Sequence, residues 1–209
     1  MDLLAEGLLV AAVGLALAYG WWWVAAAPGL LRTGLKTGAG LALALAAPGL
    51  GAAPAVVVGL ALGALGDFFL SRAGQAAFLA GMAAFAAGHL AYGWAFLQPG
   101  LSVPMAAAAL ALALSTEVWL APHARALHWP VRGYVLVISA MAYAALSLGV
   151  TAPLVTVGAA LFLGSDMLLA IDRFVLAGDL RPRLGLKRLV WACYWAGQAL
   201  ILWGSTALA

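Results

Sequence analysis

Two acidic residues lie inside hydrophobic segments whose sequences are similar. Asp67 is in the segment LGDFFL (65–70), and Asp166 is in the segment GSDMLL (164–169). A carboxylate in hydrocarbon is costly, so its presence twice in similar surroundings indicates a functional pair. In a low-dielectric site one carboxyl can hold a proton while the other stays ionised, which is the division of work that acid/base catalysis needs. For each acid the alternative is a structural bond to a neighbouring helix or an ion pair with Arg or Lys.

Five other polar residues lie within hydrophobic segments or at their ends: Lys36, His89, Tyr92, Tyr194 and Gln198. Counted at roughly 1.5 Å per residue from the nearest basic connection, Lys36, Tyr194 and Gln198 belong to the same half of the membrane as both acids. His89 lies nearer the midplane. Each could bind a ligand or simply hold two helices together, and Lys36 could also extend to the headgroups. The three histidines are scattered, whereas a metal site needs clustered ligands, so no metal site is predicted.

The elements that must position these residues are transmembrane helices. The chain is 67% hydrophobic and only 8% charged, whereas soluble proteins have about a quarter of their residues charged. Breaks at Pro, Gly and charged residues leave apolar runs at 3–24, 35–48, 53–70, 76–97, 103–121, 131–149, 153–171 and 188–207. Most of them approach the roughly 20 residues that span a bilayer. We therefore predict an all-α fold, with eight transmembrane helices in one integral membrane domain over residues 1–209.

The basic residues predict how this bundle is oriented. All ten lie in or beside alternate connections: Arg32, Lys36, Arg72, Arg125, Arg132, Arg173, Arg181, Arg183, Lys187 and Arg188. By the positive-inside rule these connections face the cytoplasm, and both termini lie on the opposite side. The expected location is the cytoplasmic membrane of the cell. The net charge of +3 is then an orientation signal. Membrane lipid is the expected surrounding, and no nucleic-acid partner is predicted.

Helices four apart in this scheme share sequence features. Gly66-Asp67 in the third helix corresponds to Ser165-Asp166 in the seventh, and His89 in the fourth corresponds to Gln198 in the eighth. Two four-helix repeats, 1–100 and 101–209, would have the same orientation in the membrane. Helices rich in Ala and Leu also match by accident, which is the alternative. In either case both acids lie on helices that run toward the cytoplasm, and small residues on their faces predict a polar pocket inside the bundle.

Together these segments resemble the YhhN-like lysoplasmalogenase family. The resemblance rests on Lys36 opening helix two, GD at 66–67, GHLAY at 88–92, GAALFLGSD at 158–166 and YWAGQALI at 194–201. Each motif alone is weak, but their order covers nearly the whole chain. In the family the helix-two Lys is typically followed by Pro, whereas Thr37 follows it here. Some members lack an acid at the second Asp position, and this chain has both.

Membership of that family implies hydrolysis of the vinyl ether bond of lysoplasmalogens to a fatty aldehyde and a glycerophospho-alcohol. Asp67 and Asp166 would be the acid/base pair. Binding of the lysophospholipid-type substrate would involve His89, Tyr92, Tyr194 and Gln198, with Lys36 near the phosphate. This scheme requires no metal or organic cofactor. A small proton-linked transporter or a lipid-binding membrane protein is the alternative, since these also place Asp residues within the membrane.

Overall fold

Long helices make up the bundle in the computed structural model, which describes residues 3–100, 102–177 and 183–208. Within these residues the chain is all-helical, with no strand. The eight long helices are α1 Leu3–Ala18, α2 Leu30–Ala46, α3 Pro54–Leu70, α4 Gln75–Phe96, α5 Val103–Trp119, α6 His128–Ser147, α7 Pro153–Ala170 and α8 Leu184–Ser205. The π-helical turns Tyr19–Trp23 and Ile171–Val175 extend α1 and α7, and a short helix, Ala121–Ala124, precedes α6. Arg181 lies outside the described residues.

Four helical segments of the described chain are long and apolar enough to cross a membrane: Leu3–Trp23, Gln75–Phe96, Ala121–Ser147 and Pro153–Val175. Helices α3 and α5 are also apolar but shorter. Large hydrophobic side chains cover the outside of the bundle, as Trp94 on α4 and Val118 on α5 show. Such a surface suits lipid, because soluble proteins rarely expose large contiguous apolar patches. The prediction that all eight helices span the membrane stays a prediction.

Three helices begin earlier than the sequence predicted. Helix α2 begins at Leu30 and not at 35, so Lys36 is the seventh residue of the helix and does not open it. Similarly, α6 begins at His128 and α8 at Leu184. The predicted boundaries were wrong because they treated basic residues as breaks. Lys and Arg are good helix formers, so the helices continue through them.

Glycines set the two closest helix pairs, α3 with α4 and α7 with α8. A Cβ atom on Gly88 would lie 3.2 Å from the carbonyl oxygen of Gly59, and one on Gly158 would lie 2.8 Å from that of Gly197. Small residues of this kind allow helix backbones to approach closely. The four glycines occupy corresponding positions in the two predicted repeats. The equivalent pairs therefore pack alike, while duplication of the sequence stays a prediction.

The helices converge in two groups of three that position the acids. Around Asp67, α3 packs against α2, and α8 contacts both of them. Around Asp166, α6 packs against α7 and α4 packs against α6. Helices α1 and α5 lie at the periphery, α1 mainly on α2 and α5 mainly on α6. Each acid is thus surrounded by helices that can supply polar partners.

Candidate active site

Asp67 is a buried carboxylate with strong partners on both oxygens. Its side chain is only 1% exposed, and the Lys36 ammonium lies 2.8 Å from Oδ1. The hydroxyl of Tyr194 donates a hydrogen bond to Oδ2 over 2.8 Å. Breaking such a buried pair by removing one partner would leave an uncompensated charge, which typically costs about 3–5 kcal/mol. These two partners therefore favour the ionised form of Asp67.

A chain of hydrogen bonds leads from Asp67 into the centre of the bundle. The amide nitrogen of Gln198 donates to the Tyr194 hydroxyl over 3.2 Å, and the Tyr92 hydroxyl donates to the Gln198 side-chain oxygen. Gly63 on α3 makes room for this chain, because a Cβ atom there would collide with the Gln198 amide. Tyr92 and Gln198 are buried behind the acid. Their placement fits the support of Tyr194, and their predicted contact with substrate stays a prediction.

Asp166 has a different set of partners. The hydroxyl of Tyr134 on α6 donates to Oδ2 over 2.7 Å, and Nε2 of His89 on α4 lies 3.1 Å from the same oxygen. His89 Nε2 is also 3.0 Å from the Tyr134 hydroxyl. The Asp166 side chain is 16% exposed, and no described residue is hydrogen-bonded to its Oδ1. This oxygen is the one available to a bound molecule.

His89 is completely buried, and its ring geometry favours one tautomer. Its Nδ1 has no hydrogen-bond partner among the described residues, whereas Nε2 faces two oxygens. Because the proton of Tyr134 is directed to Asp166, the proton on His89 is best placed on Nε2, where it has an acceptor. With its proton on Nε2, His89 is a second donor toward the Asp166 carboxyl.

One cavity of about 390 Å³ brings the two acids together. Asp67 and Asp166 both line it, as do Lys36 and Tyr194, whereas His89, Tyr92 and Gln198 do not. Its wall also includes Ser165 and residues of two connections, α1–α2 and α3–α4, at one end of the bundle. We call this end the basic end, because it carries Arg32, Arg72, Arg173 and Lys187, which line the cavity as well.

Aromatic rings separate the two hydrogen-bonded networks. Phe162 on α7 lies between them, with its ring centroid 4.6 Å from that of His89 and 5.2 Å from that of Tyr194. The Phe85 ring lies 5.6 Å from that of Tyr194 and lines the cavity. The two carboxyls therefore share a cavity while their partners stay in distinct apolar surroundings, which strengthens each set of hydrogen bonds.

The mouth of the cavity carries an excess of positive charge. Arg72 stacks on Phe68 with its guanidinium carbon 3.6 Å from the ring centroid, and Arg173 lies 5.0 Å above Phe78. Within the described part of the chain, no carboxylate forms an ion pair with Arg72, Arg173 or Lys187. Arginine and lysine without such partners can bind a phosphate or another anion. The mouth is suited to an anionic group.

The two networks are built on corresponding positions with different chemistry. Lys36 and Tyr134 are the seventh residues of α2 and α6, and each contacts the acid of the following helix. One partner is a cation and the other a neutral hydroxyl. Equivalent carboxyls thus have different electrostatic environments, which is the condition for giving one the role of acid and the other that of a fixed negative charge.

Sequence reasoning missed Tyr134, Phe162 and Arg32 as members of this region. Tyr134 follows Arg132 by two residues, so the depth count used for the other polar residues would have placed it in the same half of the membrane. Tyrosine near a helix end is, however, also typical of the membrane interface. Phe162 lies one helical turn before Asp166, in a run of apolar residues. No sequence signal distinguishes it from an ordinary apolar residue.

No three side chains from His, Cys, Asp and Glu within the described residues group in a way that could hold a metal ion. The cavity's donors are carboxylate, ammonium, hydroxyl and guanidinium groups. These groups can position a phosphate-bearing molecule and exchange protons with it.

Apolar helices enclosing a polar cavity with two carboxyls define an integral membrane protein with a candidate active site. The sequence model of the YhhN family matches residues 31–205. The chain therefore belongs to the YhhN family, which is the family of lysoplasmalogenases. Neither the curated proteins nor the solved structures gave a match.

Proposed function

We propose that this protein is a membrane hydrolase that cleaves the vinyl ether bond of lysoplasmalogens to a fatty aldehyde and a glycerophospho-alcohol. The observation that carries the proposal is that Asp67 and Asp166 line one cavity with a positively charged mouth. Family membership supports the same reaction class. A vinyl ether resists ordinary nucleophiles but becomes electrophilic when its β-carbon is protonated, so the reaction needs a positioned acid.

Asp166 is the proton donor in this proposal. Tyr134 and His89 both direct donors at Oδ2, while Oδ1 has no hydrogen-bond partner among the described residues. A proton on Oδ1 would leave Oδ2 as a carbonyl oxygen that accepts both hydrogen bonds. The same two donors then stabilise the carboxylate after the proton has left, which lowers the barrier for its transfer.

Asp67 supplies fixed negative charge. Lys36 and Tyr194 occupy its two oxygens and hold it ionised beside the reacting atoms. The carboxylate can stabilise the oxocarbenium ion that forms when the vinyl ether is protonated. Tyr194 also lines the cavity and can position the attacking water.

The reaction needs no reactant other than the lipid and one water molecule. The alkenyl double bond takes the proton of Asp166 on its β-carbon, which leaves a cation shared between the α-carbon and the ether oxygen. Water attacks the α-carbon and gives one proton back to the Asp166 carboxylate. The resulting hemiacetal transfers its hydroxyl proton to the ether oxygen, and the bond between that oxygen and the α-carbon breaks. Aldehyde and alcohol are released, and the enzyme is restored.

The proposal includes an orientation of substrate and protein. The glycerophosphate group lies at the basic end, near Arg72, Arg173 and Lys187, because Lys36 is committed to Asp67. The eight helices cross the cytoplasmic membrane, and the basic end faces the cytoplasm, as the positive-inside rule requires. A soluble alcohol product would then leave on the cytoplasmic side.

Aldehyde release from a lysoplasmalogen by the purified protein tests the proposal. We expect wild type to release aldehyde and Asp166→Asn to be slower by about 10²–10⁴-fold, the usual contribution of a general acid. Asp67→Asn should also lose most activity. Glu117→Gln is the matched control, since Glu117 pairs with Arg132 outside the cavity.

Two results would contradict the proposal at different levels. Wild-type protein that binds the lipid but releases no aldehyde would exclude the reaction. Fully active Asn variants would exclude the two acids as catalytic residues. If Asp67→Asn alone fails to fold because Lys36 is left without its partner, the double variant Lys36→Met/Asp67→Asn removes both charges and keeps the comparison valid.

A further inference from the structure

Three cavities meet at the side chain of Asp166. Besides the polar cavity, one of about 60 Å³ lies against α4, α6 and α7, and one of about 50 Å³ lies between α5, α6 and α7. Asp166 and Tyr134 line both of the smaller cavities. Most of their other wall residues are aliphatic or aromatic, such as Met82 and Leu163. The proton donor of the proposed reaction thus lies between a polar space and an apolar one.

Helix α5 closes the apolar space only loosely. It packs chiefly against α6, and Thr116 is its only buried residue in the described structure. The cavity between α5 and α7 is lined by Leu112 and Thr116 from one side and by Met167 from the other. A helix held on one side only can move away from its neighbour at lower cost than one packed on both sides. Helix α5 therefore covers the apolar cavity beside Asp166 without being packed on both sides.

The opposite wall of the polar cavity is closed by interlocked side chains. Trp191 on α8 donates a hydrogen bond from its indole nitrogen to the carbonyl oxygen of Ala16 over 2.9 Å. Its ring centroid is 4.4 Å from that of Tyr19, and a Cβ atom on Gly20 would lie 2.8 Å from the indole ring. A chain entering between α1 and α8 would have to break these contacts.

We propose that the hydrocarbon chain of the substrate enters between α5 and α7 and occupies the two apolar cavities beside Asp166. This inference rests on the proposed function, because the ligand is taken to be a single-chain phospholipid. With the phosphate at the basic end and the chain between α5 and α7, the vinyl ether bond lies where the polar and apolar spaces meet, at Asp166. The apolar cavities, of about 60 and 50 Å³, hold a few methylene groups of one chain, and the rest of that chain lies in the gap between α5 and α7.

Photo-crosslinking tests the chain position without requiring hydrolysis. The probe is a saturated alkyl-ether lysophosphatidylcholine with a diazirine near the end of its chain, in vesicles that contain the full-length protein. We expect labelled peptides from 112–119 and 163–170, and a loss of this labelling when excess unlabelled alkyl lysophospholipid is added. Labelling concentrated on α1 and α8, or labelling that competitor does not reduce, would overturn the proposal.

The same Ser→Leu substitution at two positions tests this route through its effect on KM. Ser139→Leu adds bulk to the cavity between α5 and α7, where the Ser139 hydroxyl has no hydrogen-bond partner among the described residues. Ser115→Leu makes the same change on the exposed face of α5. We expect Ser139→Leu to raise KM at least 10-fold for a long-chain substrate and to leave a short-chain soluble vinyl ether unaffected. Equal effects on both substrates, or the same effect from Ser115→Leu, would overturn the proposal.

The two proposals can fail separately. Competed labelling of α5 and α7 together with no aldehyde release would refute the hydrolase reaction and keep the chain site. Aldehyde release with labelling on α1 and α8 would keep the reaction and refute the chain route.

Discussion

The partners of each carboxyl, more than its depth in the bundle, distinguish the two acids. Asp67 has an ammonium and a phenol on its two oxygens, whereas Asp166 has a phenol and an imidazole on one oxygen only. Sequence reasoning placed Lys36 near a substrate phosphate. Lys36 lies 2.8 Å from Asp67, so that carboxylate balances its charge, and its contact with a substrate phosphate stays a prediction.

Replacing Tyr134 with Phe removes one donor from Asp166 and little volume. Hydrogen bonds to charged groups contribute about 1.5–3 kcal/mol, so we expect kcat to fall about 10- to 100-fold with a smaller change in KM. Tyr143→Phe is the matched control, since the Tyr143 hydroxyl accepts a bond from the backbone of Ser102 and does not line the cavity. An unchanged kcat in Tyr134→Phe would show that this hydrogen bond does not assist the acid.

The candidate residues could be found in the sequence, but their partners could not. Polar groups in apolar runs are visible one by one, and so Asp67, His89 and Gln198 were all identified. Which helices are neighbours depends on packing that a single sequence does not reveal. Tyr134 was missed because its position near a helix end has an ordinary interfacial explanation, and the link from Asp166 to His89 could not be anticipated.

At the scale of helices, the length and order of the apolar runs predicted all eight long helices, while their ends were less accurate. The errors lie at basic residues, as in α2, where the helix begins at Leu30. Gly59 and Gly158 each lie two helical turns before an acid, on the same face of its helix. In the structure these glycines allow α3 to pack closely against α4 and α7 against α8, the helices that carry the two carboxyls and their nearest neighbours.

Two glycines of the same helix provide a test of this packing. A methyl group on Gly158 would lie 2.8 Å from the Gly197 carbonyl oxygen, whereas one on Gly164 would meet nothing within 4 Å. We expect Gly158→Ala to destabilise the protein by about 1–3 kcal/mol, the usual cost of overpacking. Gly164→Ala should be neutral or stabilising, because Ala favours helix by about 0.5–1 kcal/mol over Gly. Thermal unfolding in detergent measures both, and equal melting temperatures would contradict the close contact of α7 with α8.

At the scale of the whole molecule, each network joins the two halves of the chain. Asp67 in the first half accepts a hydrogen bond from Tyr194 in the second, and Asp166 in the second half contacts His89 in the first. Neither acid has its full set of partners within its own half. The site therefore depends on the packing of the two halves against each other.

The orientation of the bundle decides on which side of the membrane the cavity opens. Ala73 lies beside Arg72 at the basic end and lines the cavity, whereas Gln98 lies in the connection between α4 and α5, which has no basic residue. In a Cys193→Ala background, we expect Gln98→Cys to react with a membrane-impermeant maleimide in intact cells. Ala73→Cys should react only after permeabilisation, because the positive-inside rule places the basic end in the cytoplasm. Because both residues are exposed, both variants should react in permeabilised cells, which is the control for reactivity. If Ala73→Cys alone reacted in intact cells, the predicted orientation would be wrong. If both variants reacted in intact cells, α4 would not cross the membrane.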